Sequence, residues 1–116
     1  MSLAGGPSLA MSTAELQAEA KKLLDAGIHG ICFSAYDEDQ APGDQLTEAQ
    51  IRRKLEILKP HVGWVRTFSC TEGNEIIARV ATELGIKTLV GAWLGDDLAK
   101  NEEEIAGLIA LCGEGV

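Results

Sequence analysis

The sequence predicts an α/β fold, a parallel sheet covered by helices, and three observations predict it. First, one unit recurs: an amphipathic stretch ending in Leu, a short turn carrying Gly or Pro, then an apolar run. It reads LDAGIHGICF from Leu24, LKPHVGWVRT from Leu58 and LGIKTLVGAW from Leu84, and a fourth copy opens at Leu111 as LCGEGV. Second, those leucines lie 34, 26 and 27 residues apart. That is the length of one strand-plus-helix unit, and such alternation belongs to parallel sheets. Third, the apolar runs contain few polar residues, as strands buried on both faces should. A fourth strand would start where the sequence stops, so the expectation is the front portion of a larger α/β protein with three parallel strands and flanking helices.

The first helix is expected over Thr13 to Ala26. Ser12 and Glu15 form a capping box, Leu16, Ala20, Leu23 and Leu24 share one face, and Gly27 sits at the stop. Residues 1–11 read as a disordered leader or vector-derived segment. The first strand is expected over Ile28 to Tyr36, followed by the polar loop DEDQAPGDQ. The second helix runs from Glu48 to Lys59. Thr47 and Gln50 box its start, Leu46 staples onto Ile51, and Ile51, Leu55 and Leu58 form the buried stripe before Pro60 stops it.

The second strand spans Val62 to Cys70. The third helix runs from Asn74 to Leu84, with Ile76, Ile77, Val80, Ala81 and Leu84 inward, and the third strand from Ile86 to Leu94. The fourth helix is expected to begin at Asn101 with Glu104 boxing the cap. It would bury Ile105, Leu108, Ile109 and Cys112 and end at Gly113. Right-handed crossovers place consecutive strands side by side. Three such units fit the first part of a (β/α)8 barrel or a small open sheet.

The chain has 116 residues, one domain at most, and its 46% hydrophobic content is enough for a core; with only 4% aromatics that core is aliphatic. A net charge of −8 speaks against nucleic acid and against an anionic membrane surface. No apolar run approaches the ~18 residues of a membrane span, and the start MSLAGGPSLA lacks the basic and apolar regions of a signal peptide. A cytoplasmic location is therefore expected. Cys32, Cys70 and Cys112 are read as small buried hydrophobes in a reducing compartment, since no closely spaced Cys/His pair suggests a metal. No cofactor is expected either: a glycine-rich phosphate loop and a Gly-x-Ser-x-Gly elbow are both absent, and Ala41 and Pro42 spoil any calcium-loop reading of DEDQAPGD.

In a barrel the active face lies at the carboxyl ends of the strands. Those ends carry Tyr36 with its acidic loop, the run Arg66-Thr67-Phe68-Ser69-Cys70, and Trp93 ahead of Asp96-Asp97. Aromatic faces stack on the apolar faces of sugar rings, and Arg or Asp bonds their hydroxyls, so the set suggests a carbohydrate cleft. Arg66 stands in an otherwise apolar strand, and a period of two puts Trp64, Arg66, Phe68 and Cys70 on one face. Its guanidinium is expected to meet an acceptor near the strand ends. Asp37-Glu38-Asp39 and Glu102-Glu103-Glu104 read as solvated clusters. His29 and His61 stand at strand starts, the stability end of a barrel.

The segments GICFSAY, WVRTFSCTEGNEII and TLVGAWLGDDLAKNEEEI resemble the opening strands of family 17 glycoside hydrolases, and most of all the bacterial exo-β-1,3-glucanase-like branch. The resemblance covers residues 28–116. It implies a (β/α)8 TIM barrel, action on β-1,3-linked glucan and a retaining mechanism with two glutamates. The acid/base Glu would follow an Asn at the end of strand four, and the nucleophile would stand on strand seven. Neither position exists in this sequence. Asn74-Glu75 and Asn101-Glu102 repeat the dipeptide at predicted helix starts and do not take the role. The chain alone is thus expected to be inactive, with no catalytic residue of its own.

Phe33 matches the family's strand-one aromatic, usually Tyr, and Arg66 and Phe68 match the strand-two pair. Trp93 falls in the segment near the sugar subsites. Together with Tyr36 these form the expected substrate-binding set, with a β-glucan oligosaccharide as partner. Two other readings stay open. One is another sugar-metabolising barrel, an isomerase or epimerase, with metal ligands on later strands. The other is a non-catalytic α/β module that self-associates through its open sheet edges.

Overall fold

The computed structural model describes residues 10–116, so the expected leader lies outside the described residues as far as residue 9. The elements are α1 (Thr13–Ala26), β1 (Ile28–Cys32), α2 (Glu48–Leu58), β2 (Val62–Arg66), α3 (Glu75–Glu83), β3 (Lys87–Leu89) and α4 (Leu98–Glu114). The strands form one parallel sheet in the order β1-β2-β3. Ile28 pairs with Val62 and Cys32 with Arg66; Trp64 pairs with Lys87 and Arg66 with Leu89. The expected fold class, three parallel strands with flanking helices, is what the chain adopts. No helix among the described residues is long and apolar enough to cross a membrane.

Local signals set the helix starts. Ser12 Oγ accepts from the Glu15 N–H and so caps α1, but the expected box does not close, because the Glu15 carboxylate takes the Ser12 hydroxyl and not its N–H. At α2 the Thr47 hydroxyl accepts from the Gln50 N–H while the Gln50 side chain accepts from the Thr47 N–H. Leu46 is buried beside Ile51, as a staple requires.

The strands are shorter than the apolar runs that encode them. The last rungs are Phe33 N–H to Arg66 C=O at 2.9 Å and Thr67 N–H to Leu89 C=O at 3.0 Å. Beyond them the backbone turns to side-chain acceptors: Cys70 N–H to the Glu104 carboxylate and Thr71 N–H to the Ser69 hydroxyl. Segments 33–36, 67–70 and 90–94 therefore leave the ladder and become the rim of the sheet.

Packing is one-sided. α2 and α3 cover one face, where Val65, Ile51, Leu55, Ile77, Val80 and Ala81 are fully buried. Each of the Val, Ile and Leu side chains contributes about 1.5–3 kcal/mol on burial. On the other face His29, Cys32, Arg66, Lys87 and Leu89 are exposed, and the Lys87 ammonium stands 5.5 Å from the centre of the half-buried Trp64 ring. The expectation of strands buried on both faces is thus corrected: among the described residues nothing covers this side.

Three further expectations change. The apolar stripe of α1 is exposed, because no described element reaches over it; its C-terminal turn is tied to the strand starts by His61 Nδ1 and Leu24 C=O at 2.9 Å. α4 starts at Leu98, capped by Asp97, and runs through Gly113 to a left-handed Gly115. It is also turned by about one residue, ~100°, from the expected face. Glu104 and Leu111 are buried with Leu108 half-buried, while Ile105, Ile109 and Cys112 are exposed. Of the cysteines only Cys70 is buried; Cys32 and Cys112 are exposed.

The turn of α4 depends on Gly107. A Cβ there would lie 2.6 Å from the Cys70 carbonyl oxygen and 2.8 Å from the Cys70 Cβ, so only glycine lets the helix lie against this loop. Gly113, in the same helix, has open space around the corresponding position. Gly107→Ala should therefore lose about 1–3 kcal/mol by overpacking, whereas Gly113→Ala should gain about 0.5–1 kcal/mol of helix propensity. Urea unfolding of the two variants beside wild type measures both signs.

Candidate functional site

The three segments that leave the ladder enclose a cleft of about 540 Å³ at the carboxyl ends of the strands. Phe33, Tyr36, Phe68 and Trp93 form its aromatic lining, and Ser69, Glu72, Asn74, Lys100 and Glu104 supply polar groups. It is assembled from all three loops, with each wall held from behind by a helix.

Tyr36 is fixed at both ends. Its carbonyl accepts from Lys54 Nζ at 2.5 Å, and its hydroxyl accepts from Asn74 Nδ2 at 3.2 Å. Asn74, buried at the start of α3, also donates to the Thr71 carbonyl at 3.0 Å. The loop behind Tyr36 is tethered to α2 by Gln50 Nε2, which donates to Ala35 C=O and to Gln40 Oε1. Asp37 pairs with Arg53 and Lys54, each at 3.0 Å. The Lys54 hydrogen bond, against a smaller effect of desolvation, holds the Asp37 carboxyl below its ordinary pKa.

The second loop turns through Glu72 and Gly73, both left-handed, at φ 54° and 88°. A Cβ on Gly73 would lie 2.5 Å from the Leu46 carbonyl oxygen, so glycine is required there. The turn offers the Glu72 carbonyl to Leu46 N–H at 2.9 Å and points the Glu72 carboxylate at the Lys100 ammonium of α4. That pairing raises the pKa of Lys100, with Glu72 the largest cause.

Glu104 anchors the third wall. It is 2% exposed. Oε1 accepts from Ser69 Oγ at 2.6 Å and Thr71 Oγ1 at 2.8 Å; Oε2 accepts from Cys70 N–H at 2.8 Å and Trp93 N–H at 3.1 Å. Burial pushes this carboxyl up, but the two hydroxyls and two amides together outweigh burial and leave it below the usual glutamate value. Desolvation, with the neighbouring Glu104 charge, pushes the Cys70 thiol up to about 11. Cys70 is therefore a neutral thiol at pH 7, donating to the Gly91 carbonyl, and is no nucleophile.

The structure thus brings four of the five expected binding residues to one cleft. Phe33 is 6% exposed and belongs to the helix-side core as well as to the lining. Trp93 is 67% exposed and free to present its ring. Arg66 is the correction. It stays on the uncovered face, exposed, with its guanidinium carbon 5.0 Å from the centre of the Phe68 ring. Among the described residues it has no hydrogen-bond or carboxylate partner, and its neighbours on that face are Cys32, Trp64 and Leu89. It lines a neighbouring depression beside Trp93 instead of the cleft. The solvated reading of Glu102-Glu103-Glu104 fails at Glu104. Its spacing to Gly107, Leu108 and Leu111 on one helical face was the available signal. No cluster of His, Cys, Asp or Glu suited to a metal is present among the described residues.

Fold and cleft together define an α/β unit of parallel βα repeats, the arrangement that opens a (β/α)8 barrel, with an aromatic cleft at the strand ends. Among solved structures the chain is similar to the glycoside hydrolase family 17 β-1,3-glucanosyltransferase from Rhizomucor miehei, and to an active-site mutant of that enzyme in complex with laminaritriose. Both comparisons give 22% identity over 77% of this chain with a TM-score of 0.57, a likeness of fold. The chain spans 32% of the length of those structures. No protein-family model matches it, and no curated protein matches it.

Because the folded pKa of Glu104 lies below its unfolded value, its carboxylate contributes stability above that unfolded value, ordinarily near 4.5. This contribution is lost as pH falls through the folded value. The thermal midpoint of wild type should therefore drop in acid more steeply than that of Glu104→Gln, which has nothing to titrate there. At pH 7 the Gln variant should be less stable by about 1–3 kcal/mol, the difference between charge-assisted and neutral hydrogen bonds. Melting curves from pH 7 to 3 read both effects.

Proposed function

We propose that this chain supplies the sugar-binding opening segment of a family 17-type glycoside hydrolase acting on β-1,3-glucan. The observation that carries the reading is the cleft itself: four aromatic side chains from three strand ends, with hydroxyl, amide and carboxylate groups between them, in a fold similar to an enzyme solved with laminaritriose. Tyr36, Phe68 and Trp93 are the stacking surfaces. Phe33 supports them from the core, and Arg66 extends the polar rim beside Trp93.

The proposal assigns no bond cleavage to these residues. Retention in glycoside hydrolysis needs two carboxyl groups about 5–5.5 Å apart across the scissile bond. The resemblance to family 17 puts both glutamates on strands beyond the three of this chain. Asn74-Glu75 lies at the start of α3 and Asn101-Glu102 within α4, so neither dipeptide stands at a strand end.

Titration of the chain with laminaritriose should give a saturable change in intrinsic tryptophan fluorescence. Trp93→Ala should weaken binding about tenfold, ~1.4 kcal/mol, while laminarin incubated with wild type releases no reducing sugar above background. A flat fluorescence titration into the millimolar range, or hydrolysis abolished by a substitution within the chain, would remove the reading.

A further inference from the structure

The site contains one carboxylate that invites a catalytic assignment, Glu104, and its geometry argues for a different task. An ionised carboxylate has about four acceptor positions. Those of Glu104 are taken by Ser69 Oγ, Thr71 Oγ1, Cys70 N–H and Trp93 N–H, at 2.6 to 3.1 Å. No acceptor capacity remains for a sugar hydroxyl or a water, and at 2% exposure the group borders the cleft while being almost closed off from it. As a carboxylate it carries no proton to donate, and as an acceptor it is saturated.

Its four donors come from two loops that share no backbone hydrogen bond at this level. Ser69, Cys70 and Thr71 follow β2, and Trp93 follows β3. Phe68 immediately precedes the first group, and the Trp93 amide is itself one of the donors. Gly107, one turn further along α4, removes the Cβ that would hold the helix away from Cys70. The ion pair of Lys100 with Glu72 ties the preceding turn of α4 to the end of the same β2 loop. Helix α4 therefore grips both loops, and Glu104 is the grip.

We propose that Glu104 is a positioning residue for the cleft: by accepting from both loops at once it sets where the Trp93 and Phe68 rings stand, and through them the affinity for sugar. This rests on the sugar-binding reading above for its consequence in affinity, but not for the geometry itself.

The test uses the full chain carrying Trp64→Phe, labelled with 5-fluorotryptophan so that Trp93 gives the sole fluorine resonance. Glu104→Ala, which removes all four acceptor positions, should shift that resonance toward the free-tryptophan value with helix content retained. Glu104→Gln keeps a carbonyl oxygen for the two amides, and the rotatable hydroxyls of Ser69 and Thr71 can turn to accept from its NH2 group, so it should restore the wild-type position. Laminaritriose affinity should follow the same order, falling about tenfold in Ala and staying within about threefold in Gln. Should Glu104→Ala lose its helix content, Glu104→Asp, one methylene too short to reach both loops, provides the same readout. An unmoved Trp93 resonance in a folded Ala or Asp variant would overturn the proposal, as would a displaced resonance that Gln fails to restore. A wild-type chain that binds no laminaritriose would remove the sugar-binding reading, and the fluorine shift would still decide the role of Glu104.

Discussion

The structure depends on β2 being the one strand paired on both edges while burying one face only. Its backbone is consumed by β1 and β3, and its helix-side residue Val65 is sealed by α2 and α3. Everything polar or aromatic that β2 carries must then go to the opposite face or beyond its end. Trp64 and Arg66 take the open face, where aromatic–cation contacts with Lys87 and Phe68 are the available stabilisation. Ser69, Cys70 and Thr71 pass the end of the ladder, where side-chain acceptors replace strand partners.

From there the site follows as a chain of satisfied polar groups. A parallel strand that stops leaves amides without a neighbour, and buried amides need acceptors. Glu104 supplies the acceptors for Cys70 and Trp93, and Asn74 fastens the Tyr36 hydroxyl to the Thr71 carbonyl. The cleft walls are thereby held by hydrogen bonds to helices, not by sheet, and the aromatic rings ride on those holds.

What was legible in the sequence was local. The cap at Ser12 and the box at Thr47 involve residues three apart, and the stripes of α2 and α3 face a sheet that is present, so periodicity located them. The strand ends were not legible, because residues 67–70 and 90–94 are apolar or small, as strand residues are, yet their amides and hydroxyls are claimed by side chains distant in sequence. The face of α4 was misread because its most apolar stripe, Ile105 and Ile109, is not its buried one; four hydrogen bonds to Glu104 outrank that preference. The stripe of α1 misled in the same way, since periodicity marks a face able to be buried but says nothing of whether a cover exists. Tyr36, Phe68 and Trp93 were reachable from strand-end position and aromatic character, and Phe33 through the family resemblance. The anchoring roles of Asn74 and Gln50 were not, as each carries a polar side chain whose burial depends on tertiary partners, and Glu104 showed only as a member of the helical face that carries Gly107, Leu108 and Leu111.

The register has a consequence for how the chain comes together during synthesis. Ile28 meets Val62, 34 positions later, and Trp64 meets Lys87, 23 positions later. Each new strand joins the one made just before it, and no pairing waits for a distant segment. The entropy of closing such loops grows only with the logarithm of their length, so the two steps oppose folding by nearly the same amount. Helix α4 follows all three strands in the chain, and its carboxylate secures two loops already made. Assembly of these elements can thus run in one direction from β1 onward, with the cleft becoming fixed only when helix α4 docks.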